Sequence, residues 1–175
     1  RLKLVGKRAL VTGGAVRLGR CICEMLAANG CDIVIHCYRS VAEAESLATE
    51  LGTMGVRAAV VHGDLAEEAD CVRIVREAVA ALGAIDILVN NASVFNKDPF
   101  MQADGARLSE EIAVNALAPM SLVRAFACQP HLQAGPNMPL LPAGTVVNLL
   151  DRRVSSIEKG MLPYLLSKKM LADYT

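Results

Sequence analysis

The sequence predicts an α/β fold, a doubly wound parallel sheet with helices on both faces. Short apolar runs alternate with longer runs of helical spacing, and this alternation occurs five times. The short runs are continuously apolar, as strands buried on both faces of a parallel sheet require. A glycine-rich turn follows the first of these runs directly. We expect a single domain over residues 1–175, because no internal repeat or low-complexity segment divides the chain.

The elements can be predicted in chain order. The five strands are expected at residues 8–12, 32–37, 57–63, 85–91 and 144–150. A helix follows each of the first three strands, and Gly30 can end the first of these helices. A longer helical region covers 104–128, and Pro119 should kink or divide it. Residues 129–143 hold four prolines and a glycine, which indicates a surface loop. The last helix begins with Pro163 in its first turn.

Composition and charge exclude several classes of protein. Eighteen basic and eighteen acidic residues cancel, which gives no reason to expect nucleic acid or an anionic membrane as a partner. No apolar run approaches the roughly 18 residues of a membrane span, and the start is not typical of a signal peptide. The six cysteines form no CxxC pair and only three histidines accompany them, so we expect no metal site. Reduced thiols packed as small hydrophobic groups favour a cytoplasmic protein.

The turn at residues 11–20, VTGGAVRLGR, carries the first functional signal. Gly13, Gly14 and Gly19 let the backbone turn tightly and approach a ligand closely. The helix that begins here directs its free N–H groups and positive dipole end toward that ligand, which suits a pyrophosphate. The pattern resembles TGxxxGxG, the nucleotide turn of the short-chain dehydrogenase/reductase family, and so implies a Rossmann-type domain. Arg17 stands where a glycine is usual, and in this the chain resembles the pteridine reductase branch.

The end of the second strand indicates which nucleotide binds. NAD-binding proteins of this architecture place a carboxylate there, which accepts hydrogen bonds from the ribose hydroxyls. Here Asp32 lies at the opposite end of the strand, whereas Arg39 and Ser40 stand at the expected place. A guanidinium donates two N–H groups toward a phosphate, and a hydroxyl adds a third donor. We therefore predict NADPH as the cofactor, in preference to NADH.

Tyr164 and Lys168 lie four positions apart and therefore share one helix face. We expect the ammonium to lower the pKa of the phenol, which brings it closer to the range in which proton transfer is effective. Asp151 precedes Tyr164 by thirteen positions. Most members of the family that the chain resembles carry serine at this place, whereas pteridine reductases carry aspartate. A carboxylic acid there could relay a proton to a ring nitrogen, as reduction of an imine demands.

The resemblance to pteridine reductases implies the remaining site residues. Phe95 would stack on a flat heterocycle, Ser93 would contact cofactor and pterin, and Asn115 would help to hold the active-site region together. Arg17 would lie near both the pyrophosphate and the pterin. The expected cofactor contacts are Gly13, Arg17, Leu18, Gly19, His36, Tyr38, Arg39, Ser40, Asp64, Leu65, Asn91, Ala92, Ser93, Asn115, Tyr164 and Lys168. The expected substrate contacts are Arg17, Ser93, Phe95, Asp151 and Tyr164.

Together these features predict an NADPH-dependent reductase that transfers a hydride to a C=N bond of a pterin or dihydropteridine, such as dihydrobiopterin or dihydrofolate. Two alternatives stay open: a carbonyl reductase of the same family, and a catalytically silent NADPH-binding module. The resemblance also implies a homotetramer. Relatives continue with further strands and helices after the catalytic helix, so we expect the C-terminal part of the fold to be absent from this chain. The sequence explains no role for Arg152 and Arg153.

Overall fold

The computed structural model describes residues 4–96, 104–133, 144–155 and 160–175. Five strands form one parallel sheet in the order β3–β2–β1–β4–β5. They are β1 (Arg8–Val11), β2 (Asp32–Cys37), β3 (Ala58–His62), β4 (Ile87–Asn90) and β5 (Thr145–Asn148). Every predicted strand is confirmed, with small differences at the ends, where hydrogen bonding fades.

Helices cover both faces of the sheet, as predicted. They are α1 (Arg17–Ala28), α2 (Val41–Thr53), α3 (Glu68–Leu82), α4 (Gly105–Ile112), α5 (Ala118–Ala127) and α6 (Leu162–Tyr174). Alternate residues of a strand point to opposite faces, so the central strands contribute to two separate cores. Leu10 and Val34 pack with α3 and α5, whereas Val11 and Ile35 pack with α1 and α2.

The strand order reverses at β1, which lies between β2 and β4. All strands are parallel, so their carboxyl ends meet at one edge of the sheet, where a crevice opens at such a reversal. Thr12 joins two of these ends, because its Oγ1 accepts hydrogen bonds from the N–H groups of Asn91 and Ala92, each at 3.0 Å. The fold thereby brings the loops after β1 and β4 together.

The predicted interruption of the long helical region is found as a π-helical turn, Ala113–Leu117, between α4 and α5. The N–H of Ala118 donates to the carbonyl of Ala113, five residues back. Pro119 has no N–H to donate and lies in the first turn of α5. The helix therefore widens before the proline and does not end there.

The expectation that every strand is buried on both faces is wrong for β5. Val146 and Val147 are 38% and 41% exposed, whereas the apolar residues of β1 and β2 are almost completely buried. Within the described ranges β5 lies at the edge of the sheet and pairs with β4 alone, so less of the protein covers it. The predicted loop at 129–143 begins with a short 3-10 turn, Pro130–Leu132, and its residues 134–143 fall outside the described part of the chain.

All six cysteines are described, and none forms a disulfide. Four are buried as expected of small hydrophobic groups, whereas Cys21 and Cys128 are exposed. No helix in the described ranges has the length and apolarity that a bilayer crossing needs. Those same ranges contain no cluster of three or more His, Cys, Asp or Glu side chains suited to a metal ion.

Candidate active site

Two positions of the glycine turn between β1 and α1, Gly13 and Gly19, are unsuited to larger residues. A Cβ atom on Gly19 would lie 2.1 Å from the carbonyl oxygen of Gly13, and Gly13 itself has a φ of +59°. Arg17 also adopts a left-handed conformation, with a φ of +51°. An L-residue pays about 1–2 kcal/mol for this conformation, which explains why glycine is usual at that place.

His36 lies behind this turn and holds it through both ring nitrogens. Its Nδ1 accepts from the N–H of Gly13 at 3.2 Å, and its Nε2 lies 3.1 Å from the carbonyl of Gly63. These partners define the neutral tautomer that carries its proton on Nε2. The side chain is 1% exposed, and burial lowers the pKa of His36 to about 4. The ring therefore orders the turn from inside, while direct contact with a cofactor stays a prediction.

A cleft opens above the carboxyl ends of β1, β2 and β4. Its largest cavity, about 570 Å³, is lined by Gly13, Val16, Arg17, Leu18, Gly19, Ser40, Asn91, Ala92 and Ser93. A second cavity of about 250 Å³ adjoins it, and its lining includes His36, Tyr38, Arg39, Asp64 and Leu65. The two cavities share Gly13, Ala92 and Ser93, so they form one continuous depression. The fold thus brings together most residues predicted to contact the cofactor.

Asn115 lies in the π-helical turn and joins the loop after β4 to α6. Its Oδ1 accepts from Ser93 Oγ at 3.0 Å and from Val94 N–H at 2.8 Å. Its Nδ2 donates to the Val94 carbonyl at 2.8 Å and to Ser167 Oγ at 3.0 Å. All the hydrogen-bonding capacity of this amide is used inside the protein, in agreement with the predicted role of holding the region together.

The three predicted catalytic side chains converge beside Ser93. The hydroxyl of Tyr164 donates to Asp151 Oδ2 at 3.0 Å. The Phe95 ring meets the Tyr164 ring edge to face, with 4.8 Å between their centroids. Lys168 Nζ lies 6.0 Å from the centre of the Tyr164 ring and donates to the carbonyl of Leu149 at 2.9 Å. The predicted convergence of acid, phenol and amine is therefore observed.

The expectation that Lys168 lowers the pKa of Tyr164 is wrong in this structure. Burial and the hydrogen bond to Asp151 raise the pKa of Tyr164 to about 12. Burial also lowers the pKa of Lys168, because its ammonium is removed from water. Tyr164 is therefore fully protonated at neutral pH, in the form that donates a proton.

The expectation that Asp151 carries a transferable proton also fails. Hydrogen bonds from Arg153 hold the pKa of Asp151 well below its usual range, against the opposing effect of burial. The carboxyl group is consequently ionised and accepts the Tyr164 hydrogen bond as an anion.

Arg153 is a site residue to which the sequence analysis assigned no role. It follows Asp151 by two positions and donates its backbone N–H to Asp151 Oδ1 at 2.8 Å. The guanidinium adds a two-pronged ion pair to the same carboxylate. Aspartate accepting from the N–H two residues later is a common turn, so Asp-x-Arg after a strand was the signal that could have revealed it.

Comparison with known proteins agrees with this geometry. The family model described as short chain dehydrogenase matches residues 7–161. The chain belongs to the short-chain dehydrogenase family. Tyr164 and Lys168 lie just beyond the matched range, while the cofactor cleft lies within it.

Individual members of the short-chain dehydrogenase family resemble the chain over most of its length. Pteridine reductase 1 of Leishmania tarentolae is 32% identical over 202 residues, covering 95% of this chain and 68% of that protein. Acetoacetyl-CoA reductase of Allochromatium vinosum is 36% identical over 117 residues, covering 66% of this chain and 48% of that protein. The crystal structure of FolM Alternative dihydrofolate reductase 1 from Brucella canis, complexed with NADP, matches with a TM-score of 0.87 at 34% identity. That match covers 99% of this chain and 67% of the crystallised one.

The chain spans about two thirds of the length of the Leishmania and Brucella proteins. The family and fold predictions are confirmed by these similarities. Membership of this family and the NADP complexes of similar structures also support the predicted oxidoreductase and its NADP cofactor.

Proposed function

We propose that the protein is an NADPH-dependent reductase of a C=N bond in a pterin or dihydropteridine. One observation carries this proposal: Asp151, which stands where most family members have serine, accepts a hydrogen bond from Tyr164 beside the ring of Phe95. Two of the similar proteins are named as a pteridine reductase and an alternative dihydrofolate reductase, which supports the same substrate class.

The residues of the cleft fit a dinucleotide with a 2′-phosphate. The glycine turn allows close approach of a pyrophosphate, since Gly19 has no space for a side chain and Gly13, with its positive φ, lies close against Ala92. Arg39 and Ser40 line the far part of the cleft, where a guanidinium and a hydroxyl would bind the additional phosphate. When bound, NADPH supplies the hydride.

The chain's own residues would supply the proton and the substrate surface. Tyr164 keeps its proton at neutral pH. It lies beside Ser93, which lines the cleft. Phe95 is 45% exposed next to this donor, so a flat heterocycle can stack on its ring. The proton of Tyr164 would pass to the ring nitrogen adjacent to the carbon that is reduced.

Reduction of a ketone is the second candidate. With Asp151 ionised, Tyr164 is the proton donor, and hydride addition to a ketone needs one proton just as addition to a C=N bond does. The similarity to acetoacetyl-CoA reductase favours this alternative. A silent NADPH-binding module is the third candidate, and the hydrogen bond between Tyr164 and Asp151 beside Lys168 supports a proton donor over it.

The substrate class is tested by following NADPH absorbance with 7,8-dihydrobiopterin, dihydrofolate and acetoacetyl-CoA. We expect turnover with the pterins, and a loss of about 10²–10⁴-fold in kcat for Tyr164→Phe. Asp151→Ser should reduce pterin turnover and leave the folded protein intact. Tyr174→Phe is the matched control, because this tyrosine lies 43% exposed at the end of the same helix. Turnover with acetoacetyl-CoA alone would establish the second candidate, and NADPH binding without any turnover would establish the module.

The cofactor assignment is tested with Arg39→Ala. A hydrogen bond to a charged group contributes about 1.5–3 kcal/mol, so the affinity for NADPH should fall about tenfold to a hundredfold. The affinity for NADH should stay unchanged, because NADH has no phosphate at that position. Arg76→Ala removes an exposed arginine on α3 and serves as the control. Tighter binding of NADH than of NADPH by the native protein would contradict the assignment.

A further inference from the structure

Arg153 contacts the catalytic group, but the proposed reaction gives it no part. Its side chain is 25% exposed and that of Asp151 is 14% exposed, so the ion pair is largely removed from water. The guanidinium carbon lies 5.9 Å from the centre of the Phe95 ring and 5.9 Å from the centre of the Tyr164 ring. Arg153 therefore adjoins the proton donor, the carboxylate and the aromatic surface at once.

The Asp151 carboxylate has no accepting position left over. Its Oδ1 accepts from the backbone N–H and from Nε of Arg153, both at 2.8 Å. Its Oδ2 accepts from a terminal nitrogen of Arg153 at 2.7 Å and from the Tyr164 hydroxyl at 3.0 Å. A carboxylate offers about four lone-pair positions, and here three are taken by Arg153 and one by Tyr164. The orientation of the carboxylate toward Tyr164 is therefore set by Arg153.

The charges around Tyr164 explain why Asp151 needs a cationic partner such as Arg153. Loss of the Tyr164 proton would leave a phenolate 3.0 Å from a carboxylate, and two anions at that distance repel. Among the residues that the structure describes, Lys168 on α6 and Arg153 on the segment after β5 are cations close to this pair, and Ser93 from the loop after β4 also influences Tyr164. The guanidinium of Arg153 offsets the negative charge that Asp151 adds beside Tyr164.

We propose that Arg153 is a positioning residue whose guanidinium fixes Asp151 as a carboxylate against the Tyr164 hydroxyl, so that Tyr164 donates the proton during reduction. In that step the substrate carbon would receive the hydride that bound NADPH supplies, the Tyr164 O–H group would turn from Asp151 to the substrate, and its O–H bond would break as the proton joins the substrate nitrogen or oxygen. A proton from water then returns to the phenolate. The inference rests on the catalytic role proposed for Tyr164, but it holds equally for a C=N and for a carbonyl substrate.

A double-mutant cycle tests whether Arg153 acts through Asp151. With NADPH and 7,8-dihydrobiopterin, we expect Arg153→Gln to lower kcat at least about tenfold, with KM for NADPH within about twofold of native. In an Asp151→Ser background the same change should alter kcat by less than about twofold, because the carboxylate that it orients is gone. Equal losses of kcat in both backgrounds would overturn the proposal, since Arg153 would then act on the substrate or the cofactor directly. Arg152→Gln, an exposed neighbouring arginine, is the matched control.

The ionisation of Asp151 gives a second measurement that needs no substrate. An NMR titration of the side-chain carboxyl carbons, assigned with Asp151→Asn, should show Asp151 ionised to the lowest pH at which the native protein stays folded. In Arg153→Gln its pKa should rise to the ordinary carboxyl range or above, and in Arg153→Lys it should rise less. An unchanged titration in Arg153→Gln would overturn the proposal even if kcat fell. Full turnover in Tyr164→Phe, in contrast, would refute the catalytic role of Tyr164 and leave the titration result as a separate finding.

Discussion

The glycine turn and the proposed catalytic group of Asp151, Tyr164 and Lys168 lie at the same edge of the sheet, but different forces hold them. The turn is fixed by close backbone approaches and by the neutral ring of His36. The catalytic group is fixed by the ion pair of Asp151 with Arg153 and by the hydrogen bond from Tyr164. Substitutions in the turn should therefore change folding and cofactor affinity together, whereas substitutions in the catalytic group should change turnover and its dependence on pH.

Gly19→Ala should have the largest effect on the turn. Its new Cβ would meet the Gly13 carbonyl at 2.1 Å, and a backbone atom cannot move aside as a flexible side chain can. We expect the free energy of unfolding to fall by about 3 kcal/mol and NADPH affinity to fall at least about tenfold, measured by denaturant titration and cofactor fluorescence.

Gly52→Ala is the matched control for this substitution, because Gly52 lies in α2 with no atom within 4 Å of the added Cβ. It should stabilise the protein by about 0.5–1 kcal/mol. A native affinity for NADPH in Gly19→Ala would show that the turn does not depend on backbone packing.

The pH dependence of stability should report His36. Burial lowers the pKa of His36 to about 4 in the folded protein, below the value of about 6.5 expected when unfolded. The unfolded chain therefore binds the proton first, and the contribution of neutral His36 is lost as the pH falls from about 6.5 toward 4. Between pH 7 and 5 this amounts to about 2 kcal/mol.

His36→Gln cannot titrate in this range, so its free energy of unfolding should fall less steeply between pH 7 and 5, although it starts from a lower value. Denaturant unfolding at both pH values measures the difference. Parallel curves for the native protein and His36→Gln would mean that the ring is protonated without cost, contrary to its burial.

Arg17→Gly should have the smallest effect on stability, and unlike Gly19→Ala it should make the protein more stable. Relief of the left-handed conformation at Arg17 outweighs the added freedom of glycine in the unfolded chain, so the protein should gain about 0.5–1 kcal/mol. Turnover and cofactor affinity should nevertheless decrease, because the Arg17 guanidinium that lines the cavity of about 570 Å³ is lost. A loss of stability would show that the arginine side chain contributes contacts that outweigh the strain of its backbone.

The sequence was sufficient for the features that are encoded by local spacing. The glycine turn, the five strands and the four-residue interval between Tyr164 and Lys168 all depend on nearby residues, and each was found as predicted. The protonation states of Tyr164 and Asp151 were predicted wrongly, because they depend on burial and on contacts that the fold creates. Burial and the hydrogen bond to Asp151 raise the pKa of Tyr164, whereas hydrogen bonds from Arg153 hold the pKa of Asp151 low.

The exposed side of β5 shows the same limit on a larger scale. Its apolar residues match those of the central strands in type, so composition alone predicted burial on both faces. Exposure depends on which elements lie next to a strand, and that is a property of topology.

Because of the π-helical turn at Ala113–Leu117, the direction in which Asn115 points depends on the number of residues in this helix. It is equivalent to one residue inserted into an α-helix, and each residue of such a helix rotates the next by roughly 100°. Deleting a single residue there would restore a regular repeat but swing Asn115 away from Val94 and Ser167, uncoupling α6 from the loop after β4. A family alignment that treats this position as an ordinary gap would therefore misplace the amide that joins Val94 to Ser167.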